Sequence, residues 1–143
     1  MASLPDSQLT ASSYFGDSVA PFDSRLNDPK SWSAGQTDTN PHILADLSAL
    51  RQITAVATQG RGNGDEWVTS YTIWHSTDNS RYHTVSNIFA ANSDRNTVVE
   101  HDMVPTIVAR YLRLHPLTSH TWPSLRWEIY GCDYTGMVHV YIV

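Results

Sequence analysis

The sequence predicts an all-β sandwich or barrel, and three observations carry that prediction. Apolar residues recur with period two along several short runs, helical periodicity is nearly absent, and clusters of Asn, Asp, Gly, Ser and Pro separate the runs. In chain order, Ile53, Ala55 and Ala57 alternate with Thr54, Val56 and Thr58. Tyr71, Ile73 and His75 then share one strand face, opposite Thr72, Trp74 and Ser76. Val108, Arg110, Leu112 and Leu114 oppose Ile107, Ala109, Tyr111 and Arg113. A polar loop is expected from Leu117 to Pro123. The last strand places Leu125, Trp127 and Ile129 opposite Arg126, Glu128 and Tyr130. Breakers fall at 27–29, 35–41, 60–66, 77–81, 92–96 and 118–124, which fits short strands joined by turns.

The 143 residues fit one domain, 1–143, with no internal repeat or linker. Apolar residues at 41% and charged residues at 16% suit a globular chain that buries a core. A formal charge of −5 argues against a nucleic-acid groove, which needs a basic stripe to displace counterions. No apolar run approaches the roughly 20 residues of a membrane-spanning helix. Met1 to Pro5 lacks the charged and apolar regions of a signal peptide, so a domain boundary or a non-classical secretion start is expected. Residues 133–143 alternate apolar and polar near their end, which suits an added edge strand or tail.

No catalytic set emerges. The chain has no Gly-x-Ser-x-Gly elbow, no phosphate loop and no His-Glu-x-x-His. Adjacent Asp65 and Glu66 on one loop cannot straddle a glycosidic bond, so they do not make a glycosidase pair. Cys132 is the single cysteine and forms no internal disulfide. An enzyme is not expected. The sharpest local signal is Thr58-Gln-Gly-Arg-Gly-Asn-Gly-Asp-Glu-Trp67, where three glycines in five positions permit positive φ and a tight fold-back.

That loop, with Asp94-Arg-Asn-Thr-Val-Val99, His115-Pro-Leu-Thr118 and the closing Ser124-Leu-Arg-Trp-Glu-Ile-Tyr-Gly131, resembles the discoidin domain family. These domains are also called coagulation factor 5/8 type C domains. The likeness is strongest to the N-terminal domain of the slime-mould discoidin lectins and spans about residues 8 to 132. It implies a distorted jelly-roll β-barrel or sandwich of about eight main strands, with ligand-binding loops at one end. It also implies an extracellular or cell-surface role in adhesion or glycan recognition, with terminal galactose or N-acetylgalactosamine as ligand. Alternatives within the family are a peripheral module reading anionic phospholipid, with Arg25, Leu26 and Lys30 as a modest patch, and a protein-binding adhesion domain. Trp74, on a face where relatives carry a polar residue, leaves homo-oligomer contact open. Calcium is not required by this reading. Bacterial cousins hold it near positions corresponding to Asn27, Asp28 and Glu128, but the six to eight oxygens calcium wants cannot be counted here.

A pyranose needs fixed donors and acceptors for its hydroxyls and an aromatic face for its C–H patch. The loops supply Asp38, Asn40, Arg61, Asp65, His120 and Trp122, the candidate ligand-binding residues. A carboxylate-arginine pair suits an axial hydroxyl because charge-assisted hydrogen bonds are the stronger kind. Trp32, Trp67 and Trp127 are assigned to packing. Trp122, in a polar loop, stays open between binding and packing. Arg110 and Arg113 are expected to pair with Glu128 or other barrel carboxylates, and His75 and His101 to be ordinary strand or turn residues.

Overall fold

The computed structural model describes residues 3–134. Eight strands form one antiparallel system: β1 (Leu9–Ala11), β2 (Trp32–Ser33), β3 (Ile43–Gln59), β4 (Trp67–Ser76), β5 (His83–Thr84), β6 (Phe89–Ala90), β7 (Val99–His120) and β8 (Ser124–Asp133). The order is β2-β8-β3-β7-β4-β5, with β1 on β3 and β6 on β4. Three 3-10 turns at Asp6–Gln8, Asp17–Val19 and Pro21–Ser24 are the helical segments among the described residues. No helix there is long and apolar enough to cross a membrane.

The long strands β3 and β7 carry the architecture, and their bulges decide which residues face inward. β3 begins in simple alternation, with Ile43, Ala45 and Leu47 buried and Leu44 and Asp46 half-exposed. A register shift between Ile53 and Ala55 then places an extra residue at Thr54. One extra residue swaps the faces of a strand. Ile53 is therefore followed in the main apolar cluster by Val56, while Ala55 and Ala57, which the alternation puts on the face of Ile53, are buried outside that cluster. The same correction applies to β7. Ile107 and Ala109 point inward, the register slips beside Arg110, and Leu112 and Leu114 take over. Arg110, opposite the unpaired β3 residues 47–50, makes a bidentate bond to Asp46, at 2.9 and 3.1 Å. It pairs with that carboxylate and not with Glu128.

β8 keeps its period, and Leu125, Trp127 and Ile129 join the core. Trp32, with no exposed surface, pairs in register with Leu125, and its indole N–H donates to the Ser13 carbonyl at 2.8 Å. The packing assignments of Trp32 and Trp127 hold. Trp74 is half-buried, its ring stacked 4.2 Å from His115. Arg113 lies 3.9 Å over the Tyr82 ring, a cation–π contact in place of the carboxylate expected for it. The expected polar loop after Leu117 is shorter than its composition suggests, because β7 continues to His120 and pairs that residue with Trp67. The turn proper is Thr121 to Pro123, with Thr121 at φ 65. Of the expected C-terminal strand, only Asp133, the last residue of β8, and Tyr134 lie within the described residues.

Candidate functional site

Backbone hydrogen bonds join the 25–30 turn to the 60–66 turn, and the 121–123 turn to the residue that follows β2. The Gly62 amide donates to the Lys30 carbonyl at 3.0 Å, and the Ala34 amide donates to the Pro123 carbonyl at 3.0 Å. The glycines of the 60–66 turn serve close approach. None of Gly60, Gly62 and Gly64 has positive φ, so the left-handed freedom expected of them is not used. A Cβ on Gly62 would stand 2.5 Å from the Pro29 carbonyl oxygen. The turn closes through the Arg61 amide, which donates to the Glu66 carbonyl at 2.9 Å.

Within this turn Arg61 is set by two acceptors. Its Nε donates to Asn63 Oδ1 at 2.8 Å and its Nη1 to Glu66 Oε2 at 3.0 Å. Ser124, on β8, donates its hydroxyl to the same Glu66 oxygen at 2.8 Å. Glu66 Oε1 and Arg61 Nη2 have no hydrogen bond among the described residues. Arg61 and Glu66 line a cleft of about 310 Å³ together with Phe15, Val19, Thr121 and Trp122. Trp122 is held by its indole N–H, which donates to the Ala34 carbonyl at 2.9 Å. Phe15 meets it edge-on at 6.0 Å and is 60% exposed, so the cleft has an open aromatic wall.

Of the six candidate residues, the structure brings Arg61 and Trp122 together here. Asp65 and His120 lie on the other flank of the 60–66 turn. Asp65 Oδ1 accepts from Arg95 Nε at 2.7 Å, and that bond holds its carboxyl below the usual range. His120 stacks on Trp67 with centroids 4.3 Å apart. Asp38 and Asn40 do not line the cleft. Asp38 is spent on its own neighbourhood, accepting the Ser12 and Ser13 hydroxyls at 2.5 Å each and the Asn40 amide at 3.0 Å. Burial pushes its pKa up, and those bonds outweigh burial and leave it lowered. Phe15 and Glu66 are two of the cleft residues absent from the predicted set. The one signal for Phe15 is an aromatic pair, Tyr14-Phe15, in an otherwise polar stretch. Glu66 is visible in the loop, but its orientation depends on Ser124, 58 residues away.

Asp28 Oδ1 accepts the Lys30 amide, and Glu128 Oε1 accepts the Ile129 amide. No group of three or more His, Cys, Asp or Glu side chains able to hold an ion occurs among the described residues. The rim cations are also matched: Arg25 bonds Asp6 at 2.7 Å, and Lys30 lies 3.6 Å from Asp23.

An antiparallel jelly roll with a turn-built, aromatic-walled cleft at one rim defines a class of loop-site β modules. Within it, this chain belongs to the F5/8 type C, or discoidin, domain family, whose model matches residues 8–129. Discoidin-2 of Dictyostelium discoideum is 40% identical over 110 residues, covering 76% of this chain and 43% of the relative. This chain thus spans less than half of that relative's length. The solved structure of wild-type discoidin II from the same organism superposes with a TM-score of 0.83 at 33% identity, covering 89% of this chain and 55% of that one. A family 32 carbohydrate-binding module from Clostridium perfringens NanJ, solved in complex with galactose, shares the fold. Its TM-score is 0.70 at 17% identity, over 87% of this chain and 95% of that one.

Proposed function

We propose that this chain is a non-catalytic carbohydrate-binding module, holding a terminal galactose or N-acetylgalactosamine in the Arg61–Glu66–Trp122 cleft. It acts in glycan recognition or adhesion at the cell surface or outside the cell. The observation that carries this is the Arg61–Glu66 pair, which presents an unspent donor and an unspent acceptor opposite the wall of Phe15 and Trp122. Adjacent sugar hydroxyls take a donor and an acceptor together, and the C–H face of the ring covers an aromatic surface. The galactose complex of the structurally similar C. perfringens module supports the choice of sugar. The family's anionic-lipid mode needs unpaired cations beside the exposed Phe15, and Arg25 and Lys30 already have carboxylate partners.

A cleft this open binds weakly per site, so useful avidity comes from several copies acting together. The test is a glycan array probed with the multimerised chain, alongside Arg61→Ala and Trp122→Ala variants. Signal on galactose-terminated glycans that both substitutions abolish, at unchanged melting temperature, is the expected result. Retention by both variants removes the cleft from the binding site.

A further inference from the structure

The far flank of the 60–66 turn holds a second depression, of about 380 Å³, that the cleft does not use. Asp65, Trp67, Arg95 and Thr97 line it. Its position is set where the 60–66 turn runs into β4. Glu66 turns into the cleft while Asp65 and Trp67 turn away from it, and His120 stands opposite Trp67 in the β4–β7 register. The two depressions therefore adjoin where Asp65 is followed by Glu66.

Three features make the second depression a built surface. The exposed His120 ring lies on Trp67 at an interplanar angle of 12°, so the indole fixes the plane of the imidazole. Asp94 stiffens the adjoining loop by accepting the Asn96 amide at 3.0 Å, the Thr97 amide at 2.7 Å and the Thr97 hydroxyl at 2.6 Å. Asp65 and Arg95 form an ion pair that spends a single bond, Nε to Oδ1. Among the described residues Asp65 Oδ2, the terminal Arg95 nitrogens, the Trp67 indole N–H and both His120 ring nitrogens have no hydrogen bond. Rigid, unspent donors and acceptors around an aromatic plate are what a ring of hydroxyls requires. The balance of charge narrows the ligand. Asp65 and Asp94 are matched there by Arg95 and by Arg126, which bonds the Arg95 carbonyl at 2.7 Å and Asn96 Oδ1 at 2.8 Å, so the flank has no excess charge to attract an ionic sugar and suits a neutral one.

We propose that this flank is a second subsite, reading the neutral sugar attached to the one in the cleft. The module then selects glycans by the linkage beneath the terminal residue as well as by that residue. The inference rests on the carbohydrate reading of the cleft.

Calorimetric titration separates the two. The ligands are methyl galactoside, N-acetylgalactosamine and a panel of disaccharides ending in the same residues through different linkages. The unaltered chain is expected to bind at least one disaccharide roughly fivefold or more tightly than its terminal monosaccharide, where tenfold corresponds to about 1.4 kcal/mol. Arg95→Ala and His120→Ala each lower that disaccharide to the affinity of the monosaccharide. Trp122→Ala abolishes binding of both. If monosaccharide and every disaccharide bind alike, or the gain survives both flank substitutions, the subsite is overturned and the cleft stands. If no sugar binds at all, the cleft reading falls and the subsite falls with it.

Discussion

Arg126 Nε donates to the carbonyl oxygen of Gly60 at 2.8 Å, across 66 residues of chain. The same guanidinium reaches Asp28 O at 2.7 Å, Arg95 O at 2.7 Å and Asn96 Oδ1 at 2.8 Å. Arg126 is 3% exposed, and burial pushes its pKa down, with Asp28 opposing that shift. One side chain on β8 therefore fixes three rim turns through four acceptors. A planar fork with several donors can do this, and an ammonium cannot.

Arg126→Lys is expected to cost at least about 3 kcal/mol, because hydrogen bonds from a charged group are worth about 1.5–3 kcal/mol each and several buried carbonyls lose theirs. Urea unfolding measures the loss. A change under about 1 kcal/mol would show that water replaces the guanidinium without penalty.

Gly62→Ala drives a methyl group against the Pro29 carbonyl and pushes the 60–66 turn away from the 25–30 turn. Overpacking of this kind costs about 1–3 kcal/mol. A lowered melting temperature together with weakened sugar binding is expected, since Arg61 follows the turn. Binding that stays unchanged would mean the turns move independently.

His115 gives the chain an acid-sensitive point. It lies 4% exposed between Trp74 and His42, and neither ring nitrogen has a hydrogen bond among the described residues. Burial, then His42 and Arg113, push its pKa down to about 4 from 6.5. His42 is lowered too, by burial and Arg113, with Asp38 and the Asn40 bond opposing. The folded chain therefore binds fewer protons than the unfolded one between these pH values. Stability is present above pH 6.5 and is lost as pH falls toward 4, on the order of 3 kcal/mol from His115. His115→Phe, which keeps a ring on Trp74, should flatten this dependence in melting temperatures taken from pH 7 to 4. An unaltered slope would place the acid sensitivity elsewhere.

Glu66→Gln retains the shape of the side chain but removes the charge that faces Arg61 and Ser124. Binding of galactose-terminated ligands is expected to fall tenfold or more, about 1.4 kcal/mol, while unfolding changes by less than about 1 kcal/mol, the usual worth of a part-exposed pair. Comparison of dissociation constants with urea midpoints checks both halves.

What the sequence determined by itself is the local part of this molecule. Period-two alternation specified the β class and the inward phase of β8, down to Leu125, Trp127 and Ile129, because side-chain alternation is a property of the strand alone. Breakers placed the rim turns, and motif likeness named the family. Only the tertiary structure decided the rest. The bulge at Thr54 and the unpaired β3 residues 47–50 opposite Arg110 reversed the predicted faces, since such insertions are set by pairing with a distant strand. Asp38 was drawn off by Ser12 and Ser13, and Asp65 by Arg95, although composition marked all of them as equal candidates. Polar side chains go where partners far along the chain await them, and such pairings leave no periodic trace in the sequence.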